Sequence, residues 1–212
     1  LAQGDLQSYE DGYTLRLFRN RKEYRYQGLI HEDISQSILE EKGEIRRSNT
    51  MILHHGYQSD EVQGGESRKQ RNLLLLQAQL RKSPTDFYYW FHMGKALQVI
   101  NEKKALYCFQ QSLKFGQTEM PPSIRIELHS RQAQIFLSQN RTEDAFRITG
   151  FIVQQGLRHV PALTMRSTLA MEQGLWSEAL CSLDQLLEDP ALQHREKFEQ
   201  MKNLCLDKLQ II

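Results

Sequence analysis

The sequence contains no hydrophobic run that approaches the roughly 18 apolar residues of a membrane-spanning helix. Its first residues also lack the basic-then-apolar layout of a signal peptide. We therefore expect no membrane span. The chain begins at Leu1 in a polar stretch with neither a helix cap nor a strand onset, so we expect a truncated start.

Neither sign of charge is in excess, because 27 Lys and Arg face 26 Asp and Glu. Phosphate-backbone binding needs concentrated positive charge, so no nucleic-acid partner is expected. Cysteines are few: Cys108, Cys181 and Cys205 are far apart and lack CxxC spacing, which favours neither a disulfide framework nor a zinc site. A reducing, cytoplasmic setting fits this composition best.

The spacing of apolar residues changes several times along the N-terminal third of the sequence. Tyr13–Phe18 and Glu23–Gln27 alternate apolar or aromatic side chains with polar or charged ones, and Met51–His55 is a third strand candidate that ends at Gly56. These patterns predict strands. Ile34–Glu41 fits either a helix or an edge strand. The polar stretch Gln58–Glu66 predicts a linker.

Beyond the linker, the apolar spacing predicts eight consecutive helices whose ends carry caps, prolines or glycines. Asp86 is the expected cap of the second helix, since its side chain can accept from free amides of the first turn. The predicted helices are Ser67–Lys82, residues 87–98, Lys103–Phe115, Ser123–Ser138, Thr142–Gln155, Val160–Gln173, Ser177–Glu188 and Arg195–Lys208.

Three stretches repeat: NEKKALYCFQQSL, NRTEDAFRITGFI and GLWSEALCSLDQL place Ala105, Ala145 and Ala179 at one position, 40 and then 34 residues apart. The second interval is the length of a tetratricopeptide repeat, which this region resembles. The resemblance is carried by Trp90, Gly94, Ala105 and Phe109 in the first unit and by Gly174, Trp176, Ala179 and Leu183 in the third. The middle unit departs from the pattern, with Ala133 for Gly and Thr149 for an aromatic residue.

This resemblance implies antiparallel helix pairs stacked into a solenoid. It also implies a concave face, around Tyr88–Lys95 and Arg125–Gln132, that binds a partner protein or an acceptor. The scattered histidines of the helices lack the i,i+4 pairing of a helical metal site. We therefore expect them, like Trp90 and Trp176, to be structural or surface residues.

Candidate chemistry lies before the linker, where a basic cluster carries a local charge of +4. It either attracts a diphosphate or forms a solvated strand edge. The cluster comprises Arg16, Arg19, Arg21, Lys22 and Arg25, opposed by Glu23.

Acids and histidines follow this cluster. Gly28 precedes His31, Glu32 and Asp33, and a carboxylate beside an imidazole can orient a base or build a metal shell. His54 and His55 end the third predicted strand, where alternation directs them to opposite faces. At most one of the two therefore faces a given site.

Taken in order, these residues resemble the C-terminal part of a family 2 glycosyltransferase domain, of the bacterial subgroup that carries tetratricopeptide repeats behind the catalytic unit. The matching segments are RLFRN (16–20), YRYQG (24–28), IHE (30–32), HHGY (54–57) and RNL (71–73). The resemblance implies that residues 1–65 are a small β-rich remnant of a GT-A α/β catalytic domain plus linker. Residues 66–212 would then form the helical repeat domain.

The same resemblance implies roles for individual residues. Glu32 would be the general base that deprotonates the acceptor hydroxyl, with Asp33 as the second candidate. His54 or His55 would reach the divalent metal or the sugar diphosphate. The substrate contacts that we carry over are Arg16 and Arg19, near the diphosphate, and His31.

An Asp-x-Asp element is absent from the sequence. In the family it holds Mg²⁺ or Mn²⁺ against the nucleotide diphosphate, where the metal offsets leaving-group charge. The resemblance therefore implies that a donor-binding segment precedes Leu1. It also implies that the present chain alone is inactive and binds neither donor nor metal strongly.

The leading hypothesis is thus a mainly α chain that forms the C-terminal part of a metal-dependent, inverting glycosyltransferase. This parent enzyme would use a nucleotide-sugar donor and an acceptor that the sequence does not identify. The alternative is a non-catalytic tetratricopeptide interaction module with a β-rich N-terminal cap.

Overall fold

A computed structural model of the chain describes residues 15–50, 52, 65–156, 159–190 and 192–210. Within these ranges the chain is mainly helical, with no β-strand and with no helix long and apolar enough to cross a bilayer. The helices are α1 (Ser35–Glu40), α2 (Gly65–Lys82), α3 (Phe87–Leu97), α4 (Glu102–Phe115), α5 (Pro122–Ser138), α6 (Thr142–Gln154), α7 (Val160–Glu172), α8 (Trp176–Leu187) and α9 (Arg195–Gln210).

Contacts divide the chain into two compact units, Leu1–Lys82 and Ser83–Ile212. By these contacts α2 belongs to the first unit, although the sequence analysis placed it at the start of the repeat domain. The predicted boundary at residue 65 adjoins residues outside the described ranges and stays a prediction.

The first unit has a small apolar core. Ile30, Ile34 and Ile38 are buried there, as are Leu76 and Leu80, which share one side of α2 because they are four residues apart. The region that fitted either a helix or an edge strand, Ile34–Glu41, is helical as α1.

The predicted β-rich remnant is wrong for the described residues. Glu23–Gln27 forms no strand, and Gln27 pairs with Asp33 in a single isolated antiparallel bridge. The backbone of Arg25 is satisfied differently: its N–H donates to Ser37 Oγ and its carbonyl accepts from the same hydroxyl, both at 3.0 Å. A serine of α1 thus replaces the neighbouring strand that a ladder would need.

The two other predicted strands are described only in part. Leu15–Phe18, the described portion of Tyr13–Phe18, is not a strand, and Leu17 is 76% exposed. Of Met51–His55, Ile52 alone lies within the described residues. For residues 15–18, alternation marked an exposed segment, because no strand among the described residues pairs with it.

All eight helices predicted beyond the linker are present within one or two residues of the expected ends. Asp86 caps α3 as expected, since its Oδ1 accepts the N–H of Tyr88 at 2.9 Å. Asn101 caps α4 in the same way, accepting from the N–H of Lys104 at 3.0 Å. These side chains satisfy amides that have no intrahelical acceptor.

The second unit is built from helix hairpins. α3 packs on α4, α5 on α6, and α7 on α8, while α9 closes the series against α8. The hydroxyl of Ser112, late in α4, donates to the carbonyl of Phe87 at the start of α3 at 2.8 Å, which shows that this pair is antiparallel. α5 also contacts α7, so the first helices of successive hairpins are neighbours.

The close approach of α3 and α4 in the first hairpin depends on Gly94. A methyl group added there would lie 2.4 Å from Cε1 of Phe109, whose ring is fully buried. In the second hairpin, the residues at the positions of Gly94 and Phe109 are Ala133 and Thr149. In the third they are Ser167 and Leu183, and all four are buried. Ala105, Ala145 and Ala179, the aligned alanines, are each 0% exposed.

Gly94→Ala tests this packing. We expect the free energy of unfolding to fall by about 1–3 kcal/mol, because the ring of Phe109 cannot move away within a filled core. Denaturant unfolding measures the change. The double variant Gly94→Ala with Phe109→Leu should recover part of the loss, since leucine occupies the equivalent position of the third hairpin. Purely additive destabilisation by the two changes would contradict the proposed contact.

Candidate functional site

The predicted catalytic acids lie on a short loop of the first unit, the Gly28–Glu32 loop. Gln27 and Asp33 close it: the N–H of Gln27 donates to the carbonyl of Asp33 at 2.8 Å, and the reverse bond is 3.1 Å. Gly28 has a φ of 99° and His31 a φ of 53°, so the chain reverses through left-handed conformations. The bridge fixes both ends of the loop.

Helix α2 also anchors the Gly28–Glu32 loop. The N–H of Leu29 donates to Oε1 of Gln79 at 3.2 Å, and the neighbouring Ile30 is buried. Because backbone and apolar contacts anchor the loop, the side chains that follow Ile30 are positioned by a fixed framework.

The three predicted site residues of the loop differ in their surroundings. His31, Glu32 and Asp33 are all exposed. Oδ1 of Asp33 accepts from the hydroxyl of Ser35 at 2.8 Å, at the start of α1. Glu32 forms no hydrogen bond or ion pair with the described residues. The structure therefore gives Asp33 a local structural contact and leaves the carboxylate of Glu32 accessible.

The basic cluster lies on the preceding extended segment. Arg16 and Arg19 are exposed, and no contact joins either guanidinium to the Gly28–Glu32 loop within the described residues. The Arg21 guanidinium lies 5.7 Å from the centre of the Tyr24 ring, and Phe18 meets Tyr26 edge-on at 6.0 Å. The described residues of this segment form no strand. The basic cluster therefore lies on an exposed turn with basic and aromatic side chains, and not on a strand edge.

The described ranges contain no group of three His, Cys, Asp or Glu side chains placed to hold a metal ion. His54 and His55 lie outside the described ranges, so their predicted roles stay predictions.

The cysteines are free thiols, as the spacing indicated. Cys108 and Cys205 are buried, and burial raises the pKa of Cys108 to about 11. A thiol held protonated in this way is a packing group rather than a nucleophile.

A second candidate site lies in the helical unit, across the first helices of its three hairpins. Glu127 of α5 is its centre: Oε1 accepts from Nε of Arg131 at 2.7 Å, and Oε2 lies 3.1 Å from Nε2 of His159. The ammonium group of Lys95 on α3 is 4.0 Å from Oε1. One carboxylate therefore connects α3, α5 and α7.

Side-chain amides extend this cluster. Nη1 of Arg131 donates to Oε1 of Gln98 at 3.0 Å, and Nε2 of Gln98 donates to Oε1 of Gln134 at 3.0 Å. We call the connected side chains the α5 polar network; its members are Lys95, Gln98, Glu127, Arg131, Gln134 and His159. The predicted concave-face ranges contain Lys95, Glu127 and Arg131, and the network shows how these residues meet.

Electrostatics hold Glu127 ionised. The hydrogen bond from His159, aided by Arg131 and Lys95, lowers its pKa to about 2, although partial burial acts in the opposite direction. The carboxylate is thus a permanent negative charge between cationic or donating neighbours at ordinary pH.

The specific contacts of His159 were not among the sequence predictions, which expected a structural or surface residue. Its imidazole is the N-terminal cap of α7 and a link to α5, rather than an isolated surface group. Histidine is not among the usual cap residues, so local propensity gave no signal. The Val-Pro pair that opens the helix immediately after it was the available clue, because proline is common in the first turn.

Comparison with known proteins adds no identification: no protein-family model matches the sequence, and no curated protein matches it.

Glu127→Gln tests the electrostatic role of the network. At pH 7 we expect lower stability than the wild type, because the ion pairs are lost. The folded-state pKa of Glu127 is below the ordinary 4.5, so its stabilisation is present above about pH 4.5 and disappears as pH falls towards 2. Urea unfolding at pH 7 and pH 3 should therefore show a gap that narrows at pH 3.

Glu172→Gln, an exposed site on α7, is the matched control and should show little effect at either pH. An equal gap for Glu127→Gln at the two pH values would contradict the ionised state of the carboxylate.

Proposed function

We propose that this chain is the C-terminal part of a metal-dependent, inverting glycosyltransferase of family 2, with the helical unit as a tetratricopeptide-like binding arm. The sequence resemblance motivates the proposal. The observation that carries it is the Gly28–Glu32 loop, which holds an exposed carboxylate on a backbone fixed at both ends.

A general base must be close to the proton that it removes, and its carboxylate must be available to the substrate. Glu32 meets the second condition, since its neighbour Asp33 is engaged with Ser35 while Glu32 is not engaged with the described residues. Anchoring by Gln79 and by the Gln27–Asp33 bridge limits the motion of the loop. Such support for a functional side chain reduces the cost of placing it against an acceptor.

In the proposed reaction, Glu32 takes the proton of the acceptor hydroxyl as the oxygen attacks the anomeric carbon of the donor sugar. Attack from the face opposite the nucleotide inverts that centre, while the bond from the anomeric carbon to the nucleotide diphosphate breaks and the diphosphate leaves with the electron pair. The donor site and the divalent metal belong to parts of the enzyme other than the described residues. Arg16 and Arg19 supply positive charge on the segment that leads to the loop.

Glu32→Gln in the full-length enzyme tests the base. We expect the turnover number to fall by about 10²- to 10⁴-fold, because the amide cannot accept the proton. Donor binding, measured by calorimetry with the nucleotide sugar, should be unchanged. Asp33→Asn is the matched control and should reduce turnover far less.

Full turnover by the Glu32→Gln enzyme would reject Glu32 as the base. The reading frame upstream of Leu1 provides an independent check, since it should encode a strand that ends in Asp-x-Asp. A start codon immediately before Leu1 would instead favour the non-catalytic interaction module.

For the helical unit, we propose that the face formed by α3, α5 and α7 binds the acceptor or a partner protein. The α5 polar network supports this role, because it presents amide and charged groups side by side on three neighbouring helices. Gln134 is exposed on this face, and Thr168, one 34-residue repeat later on α7, is also exposed.

Gln134→Lys combined with Thr168→Lys should raise the acceptor KM of the full-length enzyme while leaving donor KM unchanged, since bulk and charge are added where the acceptor would lie. Gln110→Lys combined with Gln154→Lys changes exposed residues of α4 and α6 and is the control. Equal acceptor kinetics for both double variants would argue that the face is structural.

A further inference from the structure

His159 occupies an unusual position at the start of α7. Its backbone is extended, with φ of −138° and ψ of 98°, and its Nδ1 accepts the N–H of Ala162 at 3.3 Å. As the third residue of the helix, Ala162 has no intrahelical acceptor for this N–H. Ala162 is also 0% exposed, so loss of the imidazole acceptor would leave a buried donor unpaired.

The two ring contacts define one protonation state. Nδ1 must carry no hydrogen if it is to accept from Ala162, so the ring proton is on Nε2. That nitrogen lies 3.1 Å from Oε2 of Glu127 and donates to it. The neutral imidazole therefore uses one nitrogen as acceptor and the other as donor, and both contacts depend on this tautomer.

Several charged groups lie on the helices packed around this position. On α5 and α3 these are Glu127, Arg131 and Lys95, joined in the α5 polar network. On α8, Glu178 is paired with Arg166 of α7, and Asp184 with Lys202 of α9. On α6, Glu143, Asp144 and Arg147 lie in the first two turns. On α5, His129 contacts Gln132 and Phe151, and Arg125 donates to the carbonyls of Gly116 and Gln117. Glu127 is thus the anion in direct contact with His159.

We propose that His159 is a pH-sensitive helix cap: the neutral imidazole holds the first turn of α7, and protonation at Nδ1 releases that turn. In the imidazolium both nitrogens are donors, so Nδ1–H opposes the N–H of Ala162. The bond from Nε2 to Glu127 becomes charge-assisted and strengthens. Acidification therefore loosens the start of α7 while it tightens the link between α7 and α5. This inference does not rest on the proposed enzyme activity.

Hydrogen exchange at the Ala162 amide, followed by NMR on the whole chain, tests the device. Imidazoles ordinarily titrate between pH 5 and 8. Between pH 7.5 and pH 5, we expect protection of this amide, corrected for intrinsic exchange, to fall about five- to tenfold, the loss of one cap. Protection of Leu183 in the core of α8 should not change.

Two variants separate this pH-sensitive cap from general acid sensitivity. His159→Asn supplies a cap that does not titrate, so protection of Ala162 should be independent of pH. His194→Asn, at an exposed histidine before α9, is the control and should leave the transition unchanged.

Constant protection of Ala162 in the wild type would overturn the proposal. The same holds if His159→Asn retains the transition or if His194→Asn abolishes it.

Discussion

The helical unit depends on one constraint: each hairpin must bring two backbones close enough to bury a shared apolar seam. At Gly94 the space for even one methyl group is taken by the ring of Phe109. Ala105, Ala145 and Ala179 are fully buried on the second helix of each hairpin, where larger side chains would push the helices apart. Apolar side chains also join successive hairpins, as in the cluster of Ile126, Ile152 and Ala162, so neighbouring hairpins stabilise one another.

This packing positions the polar groups that are of functional interest. Because α3, α5 and α7 are neighbours, Lys95, Glu127 and His159 meet although they are up to 64 residues apart in the sequence. The carboxylate stays ionised because cations and an imidazole surround it. A polar seam of this kind costs desolvation, and pairing of its members offsets that cost.

The first unit has a different organisation. Its core is small, and its chain is held by particular hydrogen bonds: Ser37 satisfies the backbone of Arg25, and Gln79 anchors Leu29. These contacts explain why alternation failed to predict strands here. Alternation of apolar and polar residues shows that an extended segment can present two different faces. A strand also needs a second strand to pair with, and in the described residues helix α1 contacts the segment instead.

The sequence by itself determined the eight helices beyond the linker, because spacing, caps and breakers act locally; Asp86 and Gly116 end up where propensity places them. It also determined the repeat register through the aligned alanines. Only the tertiary structure decided that Ser167 takes the small position of the third hairpin, that His159 caps α7 while contacting Glu127, and that Glu32 is exposed beside an engaged Asp33. These features depend on side chains distant in sequence, and no local preference encodes which of them will meet.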